Sequence, residues 1–392
     1  MLKVLCFGRL HGGSYGGMER HVESLIVGLE GKVRFVNLVP SRDGPAREHR
    51  LGESMVYEVT SCGLGTNAPL SPSMLWRARR LHREWQFDLA PLHFPDPMSH
   101  AAALALPRSL PLVISWHSDI VRQKRLAALY RPFLDRILRR AAAVVVGTPA
   151  HFSSSQVLPA AGVEPKVVQV PYGVDFSRFD RPGPAVAEIR RRFGERLIFA
   201  LGRHVYYKGY EFLIDAMARL PDARLLLGGE GPLTDELRRR AAERGVTDRV
   251  HFLGRVPDQA LPDHYHAADV FCMPSVAPSE AFGLVQVEAM ACGKPVVCCE
   301  LHNGVTYVNR HQETGLVVPP RDAEALAAAL RQLLDDAALR RHLGEAASRR
   351  VRAEFSLTAQ CDAMLALYRR LARWRASTSA SPTKSSRRSW AT

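Results

Sequence analysis

The stretch "PSEAFGLVQVEAMACGKPVV", Pro278–Val297, sets two glutamates, Glu280 and Glu288, on either side of a lone glycine, Gly283. Three roles are open to them: a catalytic acid/base pair, two solvated helix charges, or two separate grips on one long ligand. A buried strand is expected over Asp269–Met273 and a loop over Pro274–Ser279. The helix is predicted from Gly283 to Ala291, closing at Cys292–Gly293 and stopped by Pro295. Were both glutamates helical, a rise of about 1.5 Å per residue would separate them by about 12 Å along the axis. A glycosidase-type carboxylate pair needs roughly 5–9.5 Å, so shared acid/base work is disfavoured. Val287, Ala289 and Met290 surround Glu288, which speaks against a solvated face. Two grips on an elongated ligand fit best, with free N–H groups at Gly283 beside Glu280.

On both sides of this stretch, short apolar runs alternate with helical patterns. They are Leu2–Gly8, Val33–Val39, Met55–Val59, Asp88–Phe94, Pro111–His117, Ala143–Gly147 and Lys166–Val170 in the first half. Arg196–Leu201, Ala223–Gly228, Arg249–Leu253, Asp269–Met273, Pro295–Cys299 and Gly315–Val318 follow in the second. That alternation predicts an α/β chain of two doubly wound, parallel-sheet domains. The proline-rich, charged segment Asp175–Glu188 marks the boundary. The expected units are residues 1–180, residues 181–356, and a helix over 357–375 that packs back towards the first domain. The Ser/Thr-rich, basic residues 376–392 are expected to be disordered. Two such domains face each other across a cleft, and ligands bind at the carboxyl ends of the strands.

Composition narrows the classes. The 392 residues, 46% hydrophobic and 23% charged, suit a globular protein of two domains. No run approaches about 20 apolar residues, so no membrane-spanning helix is predicted. The N-terminal "MLKVLCFGRLHGG" reads as a first strand rather than a secretory signal. Seven cysteines with no C-x-x-C pair predict buried free thiols in a reducing cytoplasm, and no metal site. A net charge of +14 calls for an anionic partner: nucleic acid, acidic lipid or a phosphorylated substrate.

Four further motifs end strands. "GRLHGGSYGGMERHV" offers Gly12, Gly13, Gly16 and Gly17 ahead of a helix whose first N–H groups can meet an anion. "SWHSD" sets His117 and Asp119 just after Trp116, and His93 ends the preceding run. "GRHVYYKG" puts Arg203 and Lys208 in a strand-to-helix loop, where two cations can clamp a diphosphate. "LLLGGEGP", Leu225–Pro232, adds a glycine turn where backbone could approach a base or phosphate. Neither a dinucleotide fingerprint nor an ATPase P-loop is present.

In this order, "GGMERHV", "SWHSD", "GRHVYYKG", "SEAFGLVQVEAMACGKPVV" and "ETGLVVPP" (Glu313–Pro320) resemble the retaining glycosyltransferases of family 4. The resemblance runs to about residue 375. It implies the GT-B fold, two Rossmann-like domains around a cleft, and transfer of a hexose from a nucleotide-diphosphate sugar. By position, Arg203 and Lys208 would neutralise the donor diphosphate, and Glu288 would bond the ribose. Glu280 and the backbone of Phe282, Gly283 and Leu284 would hold the donor sugar, Gly16 and Gly17 would close on the pyrophosphate, and His117 would bond the transferred sugar. No cofactor and no essential metal are implied, because Arg and Lys can neutralise the leaving group. The motifs look most like members that use GDP-mannose or GDP-rhamnose in bacterial polysaccharide or O-antigen assembly. The implied acceptor is a glycan or a polyprenyl-diphosphate-linked sugar.

The basic, amphipathic segments 76–85 and 122–141 could lie on anionic lipid, so the expected location is cytoplasmic and peripheral on the inner face of the cytoplasmic membrane. A nucleotide-sugar epimerase or a phosphorylase on the same fold is an alternative. A nucleic-acid-binding protein is another, though the basic residues are spread over both halves and no binding motif appears.

Overall fold

The structure is a computed structural model and describes residues 1–8, 17–41, 45–62, 70–120 and 124–379. In the first half, β1 (Leu2–Phe7), β2 (Val33–Pro40), β3 (Arg47–Leu51) and β4 (Ser54–Val59) form a sheet of order β1-β2-β4-β3. A second sheet, β5-β6-β7-β8, is built from β5 (Ala90–Phe94), β6 (Leu112–Trp116), β7 (Ala143–Val146) and β8 (Val167–Gln169). A parallel bridge between Val4 and Leu89 joins the two edge to edge, with the Leu5 N–H donating to Leu89 O at 3.2 Å.

In the second half, one six-stranded parallel sheet holds β9 (Leu197–Leu201), β10 (Arg224–Gly228), β11 (Val250–Gly254), β12 (Val270–Met273), β13 (Val296–Cys299) and β14 (Gly315–Val318). Its order is β11-β10-β9-β12-β13-β14, the doubly wound Rossmann arrangement. The strand order reverses between β9 and β12, as it does between β1 and β5 in the first half. Crevices at such reversals are where ligands bind in open α/β sheets.

All thirteen apolar runs become strands. The antiparallel edge strand β3 has no counterpart in the apolar pattern, because "REHRL" is charged and its residues are exposed except Leu51. Charge suits an edge, where bare N–H and C=O groups would otherwise invite further strands. Arg47 pairs with Glu58 of β4 at 2.7 Å, which holds β3 in place without apolar burial.

The helices cover both faces: α1 (Gly17–Gly28), α2 (Ser73–Trp85), α3 (Pro97–Leu104), α4 (Lys124–Arg140) and α5 (Pro149–Ser153) in the first half. The second half has α6 (Val186–Phe193), α7 (Tyr210–Met217), α8 (Thr234–Glu243), α9 (Leu261–Ala267), α10 (Leu284–Ala291), α11 (Gly304–Val308), α12 (Ala323–Asp335) and α13 (Ala337–Glu354). The last helix, α14 (Leu357–Ser379), crosses back. Its Cys361, Met364, Leu365 and Tyr368 share one core cluster with β1 and α1 of the first half. It extends four residues past the end expected at residue 375, and the rest of the tail lies outside the described residues.

The segment Asp175–Glu188 is seated rather than free: Phe179 is fully buried, and α6 already begins at Val186. The chain passes between the halves twice, and the two passes pair. The Val174 N–H donates to Phe355 O at 2.9 Å and the Leu357 N–H to Val174 O at 3.0 Å. Gly173 permits that approach, since a Cβ there would lie 2.6 Å from Leu357 Cα and from Ser356 O. Among the described residues, no helix is long and apolar enough to cross a membrane. All seven cysteines are free thiols, six of them buried and Cys62 exposed.

Candidate active site

The loops after β9 and β12 meet at the reversal of the second sheet. Lys208, in the turn that leads to α7, pairs with Glu280 Oε2 at 2.5 Å, and both side chains are almost fully buried. Ser275 donates to the same carboxylate oxygen at 3.0 Å. Glu280 Oε1 takes no hydrogen bond from any described residue, and Lys208 spends one of its three N–H groups on Glu280. Burial alone would lower the Lys208 pKa, but the Glu280 carboxylate outweighs it and holds the ammonium well above its ordinary range. The site therefore keeps its cation charged although it is buried.

Backbone geometry holds the pair. The Val276 N–H donates to Tyr207 O at 2.8 Å, and the Tyr206 hydroxyl meets Ser279 Oγ at 3.1 Å. Gly209 sits at φ +66°, where a Cβ would lie 2.1 Å from Pro274 O. Only glycine lets the two loops close to that distance. Asn303 caps α11 through the Val305 N–H and donates to Glu280 O at 2.8 Å. Asn303, Ser275 and Tyr172 are absent from the sequence-based site. For Asn303 a signal exists: an asparagine just before a glycine and an apolar helical run is an N-cap pattern.

Arg203 is exposed and makes no salt bridge among the described residues. It stands five residues before Lys208 in the same loop. Phe282 is buried against Tyr172, ring centroids 4.9 Å apart and 80° between planes. Gly283, at φ +76°, is the N-cap of α10, and Leu284 opens the helix. Glu280 lies in the loop and Glu288 one turn inside α10. Their partners differ. The Tyr265 hydroxyl donates to Glu288 Oε2 at 2.7 Å, and Arg178, from the crossing segment, reaches Oε1 at 3.6 Å.

His117 follows β6 and is buried at the junction of the halves. Its Nε2 lies 3.0 Å from His93 Nδ1, and its Nδ1 lies 3.0 Å from the Tyr172 hydroxyl. His21, one turn into α1, packs its ring 5.5 Å from that of His117 and 4.6 Å from Tyr172. Burial pushes His93 down to about 4, and burial with the nearby His93 charge pushes His21 down to about 3. The side chain of Tyr172 thus links His117 to the Phe282 loop. Gly17 opens α1 beside this cluster, and Gly12, Gly13 and Gly16 lie outside the described residues.

Two sequence motifs resolve into scaffold. Asp119 accepts from Trp116 Nε1, Ser155 Oγ and the Gln156 N–H, so it ties down a loop. In "LLLGGEGP", a Cβ on Gly229 would lie 2.0 Å from Gly202 O, and one on Gly231 2.4 Å from His204 O. Those glycines let the β10 loop pack on the β9 loop. On the basic helices, Arg77 pairs with Glu48, and Arg140 donates to three carbonyls; Trp76 and Leu129 stay exposed. Residues 122 and 123 of the second basic segment lie outside the described residues. Among the described residues, no group of three or more His, Cys, Asp or Glu is placed to hold a metal ion.

Known proteins align with both halves. The family model "Glycosyltransferase Family 4" matches residues 15–178, and "Glycosyl transferases group 1" matches residues 186–350. The Escherichia coli O-antigen chain mannosyltransferase C is 30% identical over 362 residues, 91% of this chain and 94% of its own. The Pseudomonas aeruginosa D-rhamnosyltransferase WbpZ is 35% identical over 270 residues, 69% of this chain and 70% of its own. Among solved structures, a sucrose-phosphate synthase from Thermosynechococcus elongatus superposes with a TM-score of 0.79 at 26% identity, covering 95% of this chain and 99% of that one. Anabaena HepE in complex with UDP and glucose gives a TM-score of 0.77 at 21% identity, covering 94% of this chain and 99% of that one. Each family model falls on one of the two Rossmann-like halves, and a curated relative follows the chain through both, so this chain belongs to the family 4 glycosyltransferases and has their GT-B fold.

Proposed function

We propose that the protein transfers a hexose, with retention of anomeric configuration, from a nucleotide-diphosphate sugar to a glycan or polyprenyl-diphosphate-linked acceptor in cell-surface polysaccharide synthesis. GDP-mannose or GDP-rhamnose is the donor that best fits, given the mannosyl- and rhamnosyltransferase relatives. The buried Lys208–Glu280 pair at the strand-order reversal carries the reading, because it leaves one carboxylate oxygen and two ammonium N–H groups for a ligand. Glu280 Oε1 then takes a sugar hydroxyl while Lys208 and Arg203 face the diphosphate. Phe282, Gly283 and Leu284 hold the sugar through their backbone, Glu288 takes the ribose, and Gly16 and Gly17 close on the pyrophosphate.

In the reaction, the bond from the anomeric carbon to the diphosphate oxygen breaks, and a bond to the acceptor oxygen forms on the same face. The acceptor proton passes to the departing phosphate, and His117 bonds the transferred sugar. The buried Lys208 and the exposed Arg203 stabilise the charge that develops on the leaving group, the role a metal plays elsewhere, so the chemistry requires none. Exposed Trp76 and Leu129 on the basic helices α2 and α4 support a peripheral seat on anionic lipid at the cytoplasmic face.

Thermal melts with GDP-mannose, GDP-rhamnose, UDP-glucose and ADP-glucose test the donor site, because a ligand of the native state raises the melting temperature. Arg203→Ala, an exposed change, should leave the ligand-free melt unaltered and shrink the donor-induced shift. No shift with any of the four, or an undiminished shift in Arg203→Ala, would refute the reading.

A further inference from the structure

We infer that Tyr172 is a positioning residue that fixes the tautomer and orientation of His117 and joins it to the donor-sugar loop, because its hydroxyl lies 3.0 Å from His117 Nδ1 and 3.3 Å from Trp116 O while its ring packs edge-on against Phe282. The inference rests on the placement of His117 at the transferred sugar proposed above.

The hydrogen-bond directions follow from what each atom can do. The Trp116 carbonyl only accepts, and the Tyr172 hydroxyl donates to it at 3.3 Å with its single hydrogen. That hydroxyl therefore accepts from His117 Nδ1–H. A neutral imidazole carries one N–H, so His117 Nε2 is an acceptor; without ligand it takes the Nδ1–H of His93 at 3.0 Å, the partner that a sugar hydroxyl replaces when donor binds. One hydroxyl thereby sets the tautomers of both strand-end histidines.

The ring is held as tightly as the hydroxyl. His21 lies 4.6 Å away edge-on, and His151 5.9 Å away at 87°. Gly147 makes room for it, since a Cβ there would come within 2.8 Å of Tyr172 Cε2. Gly173, the next residue, donates its N–H to Gln360 Oε1 at 2.9 Å, and Gln360 Nε2 lies 3.2 Å from His21 Nδ1. Both passes of the chain between the halves thus converge on Tyr172. A displacement of Phe282 reaches His117 through this ring.

Tyr172→Phe in the full chain removes the hydroxyl and keeps the ring. In ¹⁵N-histidine NMR at pH 8, with the His117 signal assigned by its loss in His117→Asn, the wild type should show the Nδ1–H form. Tyr172→Phe should show a shift of that signal towards the Nε2–H form. This arm needs no substrate. GDP release from GDP-mannose should fall about 10-fold in kcat with KM within about twofold, the pattern of a misoriented group rather than a lost binding contact. An unchanged His117 signal together with unchanged kcat in Tyr172→Phe overturns the inference. The His117→Ala variant separates the two levels: full activity there refutes the site reading beneath. Loss of activity in His117→Ala beside wild-type behaviour of Tyr172→Phe refutes the Tyr172 role alone.

Discussion

Lowering the pH from 7.5 to 5 should destabilise the fold through its buried histidines, among them His21, His93 and His151, each more than nine-tenths buried at or beside the junction of the halves. Burial holds His93 and His151 at about 4, and burial with the His93 charge holds His21 at about 3. An imidazole in the unfolded chain titrates at about 6.5. The folded values are the lower ones, so between about 6.5 and 4 the unfolded state binds protons that the native state refuses. Stability is complete above that window and falls as the pH drops through it. At pH 5 each histidine has lost about 1.5 pH units' worth at about 1.4 kcal/mol per unit, or about 2 kcal/mol. The three together amount to about 6 kcal/mol. An unfolding entropy of about 2.1 cal/mol/K per residue gives about 0.8 kcal/mol/K for a chain of this length, so these three alone should lower the melting temperature by about 8 °C. Circular-dichroism melts at pH 7.5, 6.5, 5.5 and 5.0 measure this. His151→Phe should lose about 2 kcal/mol of the pH dependence, whatever its stability at pH 7.5. A melting temperature flat within about 2 °C over that range, or a His151→Phe variant with the full wild-type slope, would refute the reasoning.

Glu280→Gln keeps the shape of the site but strands the Lys208 ammonium in a buried position, which should cost about 3–5 kcal/mol in urea denaturation. Adding Lys208→Met should recover most of that loss, and a double variant no more stable than Glu280→Gln would show that the pair is not the cause. Gly209→Ala forces a side chain into the left-handed region, about 1–2 kcal/mol, and onto Pro274 O. It should lower the melting temperature and abolish the GDP-mannose-induced shift, and an unchanged melt would mean the two loops can separate freely.

Much of the architecture is legible in the amino-acid sequence. The apolar runs that become β9, β10, β12, β13 and β14 carry a local signal, because a strand buried on both faces must be apolar along its length. The helix start at Gly283–Leu284 is equally plain, being written in a glycine and the run after it. The edge strand β3 escapes because its stability comes from Arg47–Glu58 and backbone pairing with β4, which leave no apolar trace. The segment after Asp175 looks like a spacer because Phe176 and Phe179 show no period, yet both are buried against the second half.

The site divides along the same line. Arg203, Lys208, Glu280 and His117 stand out because charged or polar residues beyond the ends of apolar runs are visible one strand at a time, and Glu288 because it is a lone charge within an apolar helical run. That Lys208 and Glu280 share a bond is not visible, since it depends on β9 and β12 being neighbours despite the long stretch of chain between them. Asn303 and Ser275 enter only as partners of Glu280, and Tyr172 only as the ring between His117 and Phe282. By itself the sequence determined the elements, their order and the chemical types at the strand ends, because periodicity and turn chemistry act over a few residues. Sheet order and the double crossing of the chain decided which of those ends face each other. Contacts such as Gln360 with His21 join residues 339 apart in sequence, and only the closed fold creates them.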